Sequence, residues 1–303
     1  LYHLNAEEEP EHRDYPSAED FPDFAENYGP RGVIHSYADG RIEDTGPLTK
    51  ERMKTIDDEL IPEAMRFIKD AHEAGIPFFV WFNTTHMHFR TYARPQDVGR
   101  SGRWQSEYHD VMIYHDECIG EMLNLLDELG VTDDTIVMYG TDNGPHMNSW
   151  PDAGMTPFRS EKNTNWEGAY RVPALVRWPG HIAPGTIFSG ICSHLDWLPT
   201  ILAAAGEPEI KEKLKAGYQV GNKTFKVHLD GYNFLPYFTG QTDKGPRKEF
   251  VYSSDTGDIV GYRHGDWKLV FKEQRAHGLQ VWQDPYTTLR MPKIFNLRMD
   301  PFE

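Results

Sequence analysis

The chain has 303 residues, of which 47 are acidic and 31 are basic, so its formal net charge is −16. This composition excludes a general nucleic-acid binder, because binding to a polyanion requires clustered cations. The sequence has no run of about 18 consecutive apolar residues and therefore predicts no transmembrane helix. It has only two cysteines, Cys118 and Cys192. Two cysteines exclude a disulfide-rich scaffold, and we expect both to be small core residues.

The first 50 residues are rich in Asp, Glu, Pro, Gly and Tyr and show no lasting period. They predict irregular surface structure. The chain begins without Met, and its start lacks the basic and apolar segments of a signal peptide. We therefore expect it to be an internal fragment of a longer protein.

Helices and short apolar strands alternate through the next 155 residues or so. Apolar residues at helical spacing predict helices over 55–74, 107–129 and 196–205, and apolar runs predict strands over 77–82, 135–139 and 172–178. This alternation predicts an α/β fold with a largely parallel central sheet and helices on both faces.

The pattern changes after about residue 245. Strand-like runs over 249–253, 260–263, 267–271 and 293–297 alternate around a turn at His264-Gly265-Asp266. They predict a small antiparallel C-terminal subdomain. We therefore divide the chain into a main domain over 1–244 and a subdomain over 245–303.

Asp142 and Asn143 are the candidate metal ligands. They follow the strand predicted over 135–139, and ligands of open α/β sheets bind beyond the carboxyl ends of strands. A carboxylate and an amide carbonyl are hard oxygen donors, suited to Ca²⁺ or Mg²⁺. The alternative is an ordinary Asp-Asn-Gly turn. Two oxygens also fall short of the roughly six to eight ligands that Ca²⁺ takes.

His86 and Lys162 are the candidate catalytic side chains. His86 directly follows the first predicted strand, where an imidazole can donate to a substrate oxygen or protonate a leaving group. In an extended chain His88 would point away from it, so we favour His86. Lys162 can pair with an oxyanion such as sulfate, although a lone loop lysine is usually solvated. His146 is left out of the predicted site.

Taken together, these segments resemble the sulfatase family, and their sequences are most similar to those of bacterial arylsulfatases. Asp142-Asn143-Gly144, Lys162, Glu167-Gly168 and Arg171-Val172-Pro173 are similar to the family's D-N-G and K-x4-E-G-x2-R-V-P patterns. The further matches are Ser193–Thr200 with S-H-x-D-x-x-P-T, Asp230–Pro236 with D-G-x-x-x-L-P, and Arg263–Lys268 and Asn296–Pro301 with the family's C-terminal part.

The resemblance implies an alkaline-phosphatase-like fold and hydrolysis of sulfate monoesters by a formylglycine nucleophile with Ca²⁺, or less readily Mg²⁺. It implies that Asp142 and Asn143 bind the metal ion, and that Lys162 and His86 contact the sulfate. It also implies a small-molecule or carbohydrate sulfate ester as substrate and a periplasmic or secreted protein. The oligomeric state stays open.

The chain departs from the family at the nucleophile. Neither Cys118 nor Cys192 lies in the C-x-P-S-R type of motif that is converted to formylglycine, and no Ser replaces it there. The family's Asp-Asp metal pair is also missing. We therefore expect the nucleophile in an N-terminal part outside these residues, and the 303-residue chain alone to be inactive. The alternatives are a phosphatase or phosphodiesterase of the same superfamily, and a catalytically inactive fragment or homologue.

Overall fold

The computed structural model describes Glu19, Pro22 and residues 33–303, except Pro47, Phe89, Ser149, Pro151 and Ala153. The irregular structure predicted for residues 1–50 therefore falls mostly outside the described residues. The chain divides into two compact units, 1–129 and 130–303. Among the described residues, no helix is both long and apolar enough to cross a membrane.

The first unit contains two long helices. Strands β1 (Ile34–Ser36) and β2 (Ile42–Asp44) form an antiparallel pair, followed by helices α1 (Lys50–Met53), α2 (Ile56–Glu73) and α3 (Glu107–Glu128). The helices predicted over 55–74 and 107–129 are thus confirmed. Their apolar faces meet at Ile61, Tyr114 and Cys118. The strand predicted over 77–82 pairs with no other described strand, although Phe82 packs on this core.

The second unit begins with strand β3 (Val137–Gly140), the short helix α4 (Glu167–Tyr170) and strand β4 (Ala174–Arg177). β3 and β4 pair antiparallel, with Val137 opposite Arg177. All strand pairs among the described residues are antiparallel, so the predicted parallel pairing is not seen there. Parallel neighbours require a crossover that returns the chain to the same end of the sheet, and the connection over 141–173 reverses the chain instead.

Further along, the second unit continues with helices α5 (Trp197–Ala204) and α6 (Ile210–Ala216), strands β5 (Tyr218–Val220) and β6 (Lys223–Phe225), and helix α7 (Leu235–Phe238). Strands β7 (Glu249–Ser253), β8 (Ile259–His264), β9 (Trp267–Glu273) and β10 (Thr287–Asn296) form an antiparallel sheet in the order β10-β9-β8-β7. This confirms the antiparallel strands predicted for the C-terminal part. A 3₁₀ turn, Gly278–Trp282, separates β9 from β10. The domain boundary after residue 244 stays a prediction.

Asp196 joins two of the sequence motifs, Ser193–Thr200 and Asp230–Pro236, through buried hydrogen bonds, so both motifs serve packing. Its carboxylate accepts two hydrogen bonds from the Arg247 guanidinium, at 2.8 and 2.7 Å, and both side chains are buried. The same carboxylate accepts the backbone N–H groups of Ser193 and Tyr232.

The two cysteines differ in burial. Cys118 is buried as predicted, but Cys192 is exposed, so the prediction that Cys192 is a core residue is wrong. Cys192 lies in the irregular segment before this network rather than in a strand.

Candidate active site

The turn after β3 presents the predicted metal ligands. Asp142 is exposed and Asn143 is half-buried. The Asn143 amide nitrogen donates to the Gly144 carbonyl at 2.9 Å, which leaves the amide oxygen as an acceptor. The His194 imidazole donates through Nε2 to the carbonyl of Thr141 at 2.8 Å, directly before Asp142. The Asp142 carboxylate accepts a long hydrogen bond from the Thr141 hydroxyl at 3.5 Å. The turn therefore carries a carboxylate and an amide carbonyl on adjacent residues.

Gly144 fixes this turn against helix α4. Its N–H donates to the Ala169 carbonyl at 2.8 Å. A Cβ atom at Gly144 would lie 1.8 Å from the carbonyl oxygen of Gly168, and one at Gly168 would lie 2.2 Å from that of Ser160. Three backbone segments therefore approach closely here, and only glycine fits at the two contacts. This is the physical reason for the glycines of the D-N-G and E-G motifs.

The Lys162 loop lies against the same turn. The Lys162 N–H donates to the Pro145 carbonyl at 2.8 Å, so the structure brings Lys162 and the Asp142-Asn143 turn together. Ser160 and Asn163 on either side both have φ of 65°, the left-handed region that non-glycine residues rarely adopt. Such backbone strain persists only where surrounding contacts determine it.

Those contacts come from the residues next to Lys162. Glu161 is fully buried, and its carboxylate accepts the N–H groups of Met147 at 2.6 Å and Gly278 at 2.9 Å. The Asn163 amide donates to the Val281 carbonyl at 2.8 Å. The loop is therefore tied both to the segment that follows the Asp142-Asn143 turn and to the 3₁₀ turn that ends at Trp282. The sequence carries no local signal for these contacts.

The Glu167 carboxylate of the E-G motif is buried in the second unit rather than offered to a ligand. It accepts from the Lys268 ammonium at 3.1 Å and from the Tyr252 hydroxyl at 2.8 Å, and the Arg263 guanidinium lies at 3.5 Å. Burial and the Glu167 carboxylate raise the pKa of Tyr252 and so keep its hydroxyl a donor. Glu167 thus joins helix α4 to the C-terminal sheet.

His146 is a neighbour of Lys162 that the predicted site omitted. Burial and the Lys162 cation lower the pKa of His146, so its imidazole is neutral at neutral pH. A neutral imidazole beside a cation can donate or accept a hydrogen bond without adding charge. The sequence signal that could have placed His146 in the predicted site was its position, four residues after Asp142.

His86 lies in the first unit, where Asp57 orients it. Its Nδ1 donates to the Asp57 carboxylate, and both side chains are buried. Asp57 also accepts the backbone N–H of Thr85 at 2.8 Å. Burial alone would raise the pKa of Asp57, but the bonds from His86 and Thr85 outweigh it and hold the pKa below its usual value. The other ring nitrogen of His86, Nε2, is buried and has no hydrogen-bond partner among the described residues.

The reason for preferring His86 over His88 does not hold in the structure. The preference assumed an extended chain, but Met87 has φ of 72°, which turns the backbone between the two histidines. His88 is half-buried and less enclosed than His86. Both histidines therefore stay candidates on geometry, and His86 stays a prediction.

The donor set of the turn fits a hard cation but does not complete a site. The Asp142 carboxylate and the Asn143 carbonyl are oxygen donors of the kind that Ca²⁺ prefers. Within the described part of the chain, no group of three or more His, Cys, Asp or Glu side chains could hold a metal ion. Further ligands would have to come from other residues.

Comparison with known proteins identifies the class. The family model "Sulfatase" matches residues 8–207, and the chain belongs to the sulfatase family. Human arylsulfatase A is 32% identical over 246 residues, covering 77% of this chain and 45% of the relative. Rat N-acetylgalactosamine-6-sulfatase is 36% identical over 251 residues, covering 80% and 46%. The chain therefore spans about half the length of these curated relatives.

The fold agrees with that class. The PsFucS1 sulfatase from Pseudoalteromonas sp. superposes with a TM-score of 0.75 at 24% identity, covering 99% of this chain and 57% of that one. A second solved structure, Ps i-CgsB, gives a TM-score of 0.60 at 25% identity, covering 82% of this chain and 49% of that one. The chain thus has the α/β, alkaline-phosphatase-like fold of the sulfatases.

Proposed function

We propose that this protein hydrolyses sulfate monoesters by formylglycine- and Ca²⁺-dependent chemistry, with the nucleophile supplied by residues outside these 303. The observation that carries the proposal is the close packing of the Asp142-Asn143 turn and the Lys162 loop, joined through Gly144, Gly168 and the Lys162 N–H. This packing sets two hard oxygen donors and a cation on one rigid backbone frame. Membership of the sulfatase family supports the same reading.

Each residue has a distinct role in this proposal. Asp142 and Asn143 hold the metal ion, which would supply positive charge to the sulfate oxygens. Lys162 places a compact cation on the sulfate, and either Lys162 or His86 assists the leaving group. His86 offers Nε2 to the sulfate ester, while Asp57 holds Nδ1 and fixes the ring orientation.

The proposal also covers the central sheet, the domain boundary, the substrate and the location of the protein. We propose a largely parallel central sheet with a boundary after residue 244, a small-molecule or carbohydrate sulfate ester as substrate, and a periplasmic or secreted protein. Family resemblance supports each of them. A phosphatase or phosphodiesterase is the competing function, and its nucleophile would be Ser or Thr.

The test uses the complete product of the encoding gene, assayed with 4-methylumbelliferyl sulfate and 4-methylumbelliferyl phosphate. We expect hydrolysis of the sulfate, loss of activity with a chelator and recovery with Ca²⁺. Asp142→Ala and Lys162→Ala should each lower kcat/KM by about 100-fold or more. The matched controls, Asp243→Ala and Lys215→Ala, change exposed residues and should leave kcat/KM unchanged.

Faster cleavage of the phosphate than of the sulfate would assign the protein to the competing function. Absence of both activities, in a folded protein, would favour the inactive homologue.

A further inference from the structure

Trp282 is an exposed aromatic side chain placed beside the proposed sulfate ligand. It is 53% exposed, and its ring centroid lies 5.9 Å from the Lys162 ammonium nitrogen. We propose that Trp282 stacks on the ring that carries the sulfate group and so selects ring-bearing sulfate esters over ring-free ones. The inference takes Lys162 as the sulfate ligand and in that respect depends on the proposed function.

The backbone around Trp282 is fixed relative to Lys162. Both sequence neighbours of Lys162 bond to the 3₁₀ turn Gly278–Trp282: Glu161 accepts the Gly278 N–H, and Asn163 donates to the Val281 carbonyl. Val281 is itself buried. The backbone at Trp282 and the backbone at Lys162 therefore belong to one hydrogen-bonded frame, so binding a ring here requires little backbone ordering.

The exposure of Trp282 argues against a purely structural role. A cation–π contact at 5.9 Å is near the outer limit of about 6 Å at which such contacts are effective. An aromatic ring serving only the lysine would gain from closer approach and from burial, and Trp282 has neither. A hydrogen bond from a charged donor to an oxyanion spans about 2.8 Å, so a ring next to a sulfate bound by Lys162 would lie within reach of the indole.

The experiment measures binding of sulfonates, which keep one negative charge shared over three oxygens but cannot be hydrolysed as esters. The probes are benzenesulfonate, 6-deoxy-6-sulfoglucose and the ring-free methanesulfonate, titrated calorimetrically into the complete gene product. We expect Trp282→Ala to raise the Kd of a ring-bearing probe by about three- to tenfold, the range for one aromatic stacking contact. The Kd of methanesulfonate should not change, and Trp282→Phe should retain most of the affinity.

Trp267→Ala is the matched control, because Trp267 is similarly exposed, at 55%, and lies on β9. It should leave all three Kd values unchanged. The ring-bearing probe that responds to Trp282→Ala identifies the ring as aromatic or sugar.

Three results would overturn the inference: no change with either ring-bearing probe, equal weakening of methanesulfonate, or no binding of any probe to the wild-type protein. Equal weakening would mean that Trp282 acts only by positioning Lys162. Failure of the proposed function is distinguishable, because it would appear as ring-dependent probe binding without hydrolysis of any sulfate ester.

Discussion

Substituting Gly144 by alanine tests whether the Asp142-Asn143 turn depends on close backbone contact. The added Cβ would lie 1.8 Å from the Gly168 carbonyl oxygen, 2.8 Å from its carbonyl carbon and 3.1 Å from the Ala169 Cα. All three atoms belong to the backbone, so no side chain can rotate away. The turn and helix α4 would have to separate by more than 1 Å, which is roughly the gap between 1.8 Å and an ordinary contact.

The expected cost combines two effects. Overpacking in a well-packed region destabilises by about 1–3 kcal/mol. Separation of the two segments also breaks the bond from the Gly144 N–H to the Ala169 carbonyl, worth about 1 kcal/mol. We therefore expect Gly144→Ala to lower the free energy of unfolding by about 2–4 kcal/mol.

Urea denaturation followed by circular dichroism measures this difference. Gly120→Ala is the control, because Gly120 lies inside α3 and a Cβ there would meet nothing within 4 Å. That substitution should be neutral or stabilising by up to about 1 kcal/mol, since alanine favours the helix. If Gly144→Ala proved as stable as the wild type, the reasoning about the turn would be refuted.

Three further predictions concern the buried polar groups. Asp57→Asn should destabilise by about 3 kcal/mol at neutral pH. Because the folded pKa of Asp57 is lowered, its contribution is present above the usual pKa of about 4 and lost as pH falls through the lower folded value. Wild type and variant should therefore converge in acid urea melts, and a pH-independent difference would contradict the assignment. His86→Ala should reduce the kcat for sulfate ester hydrolysis by about 100-fold, and His88→Ala should reduce it less. A larger loss of kcat in His88→Ala would assign the sulfate contact to His88 instead. Asp196→Ala should cost about 3–5 kcal/mol by leaving the Arg247 guanidinium buried without a carboxylate partner, and a thermal melt like that of the wild type would refute this.

Local periodicity accounts for the elements that were predicted correctly. The apolar stripes of α2 and α3 repeat within each helix, so their extent can be read without knowledge of the partner. The alternation around His264-Gly265-Asp266 likewise predicts β8 and β9, because a hairpin forms between neighbours in sequence. The direction of pairing between β3 and β4 was not readable, because it depends on the path of the 33 residues between them.

The sequence by itself determined which chemical groups follow β3 and which family patterns the chain carries. It did not determine which of those groups serve packing. Glu167 and Asp196 lie in motifs as polar as the Asp142 turn, yet both are buried in ion pairs with residues about 50 to 100 positions away. Trp282 approaches Lys162 from 120 positions further along the chain. Such contacts are decided by tertiary structure, because hydrophobic periodicity and turn chemistry act over a few residues, whereas the approach of distant segments depends on the packing of the whole unit.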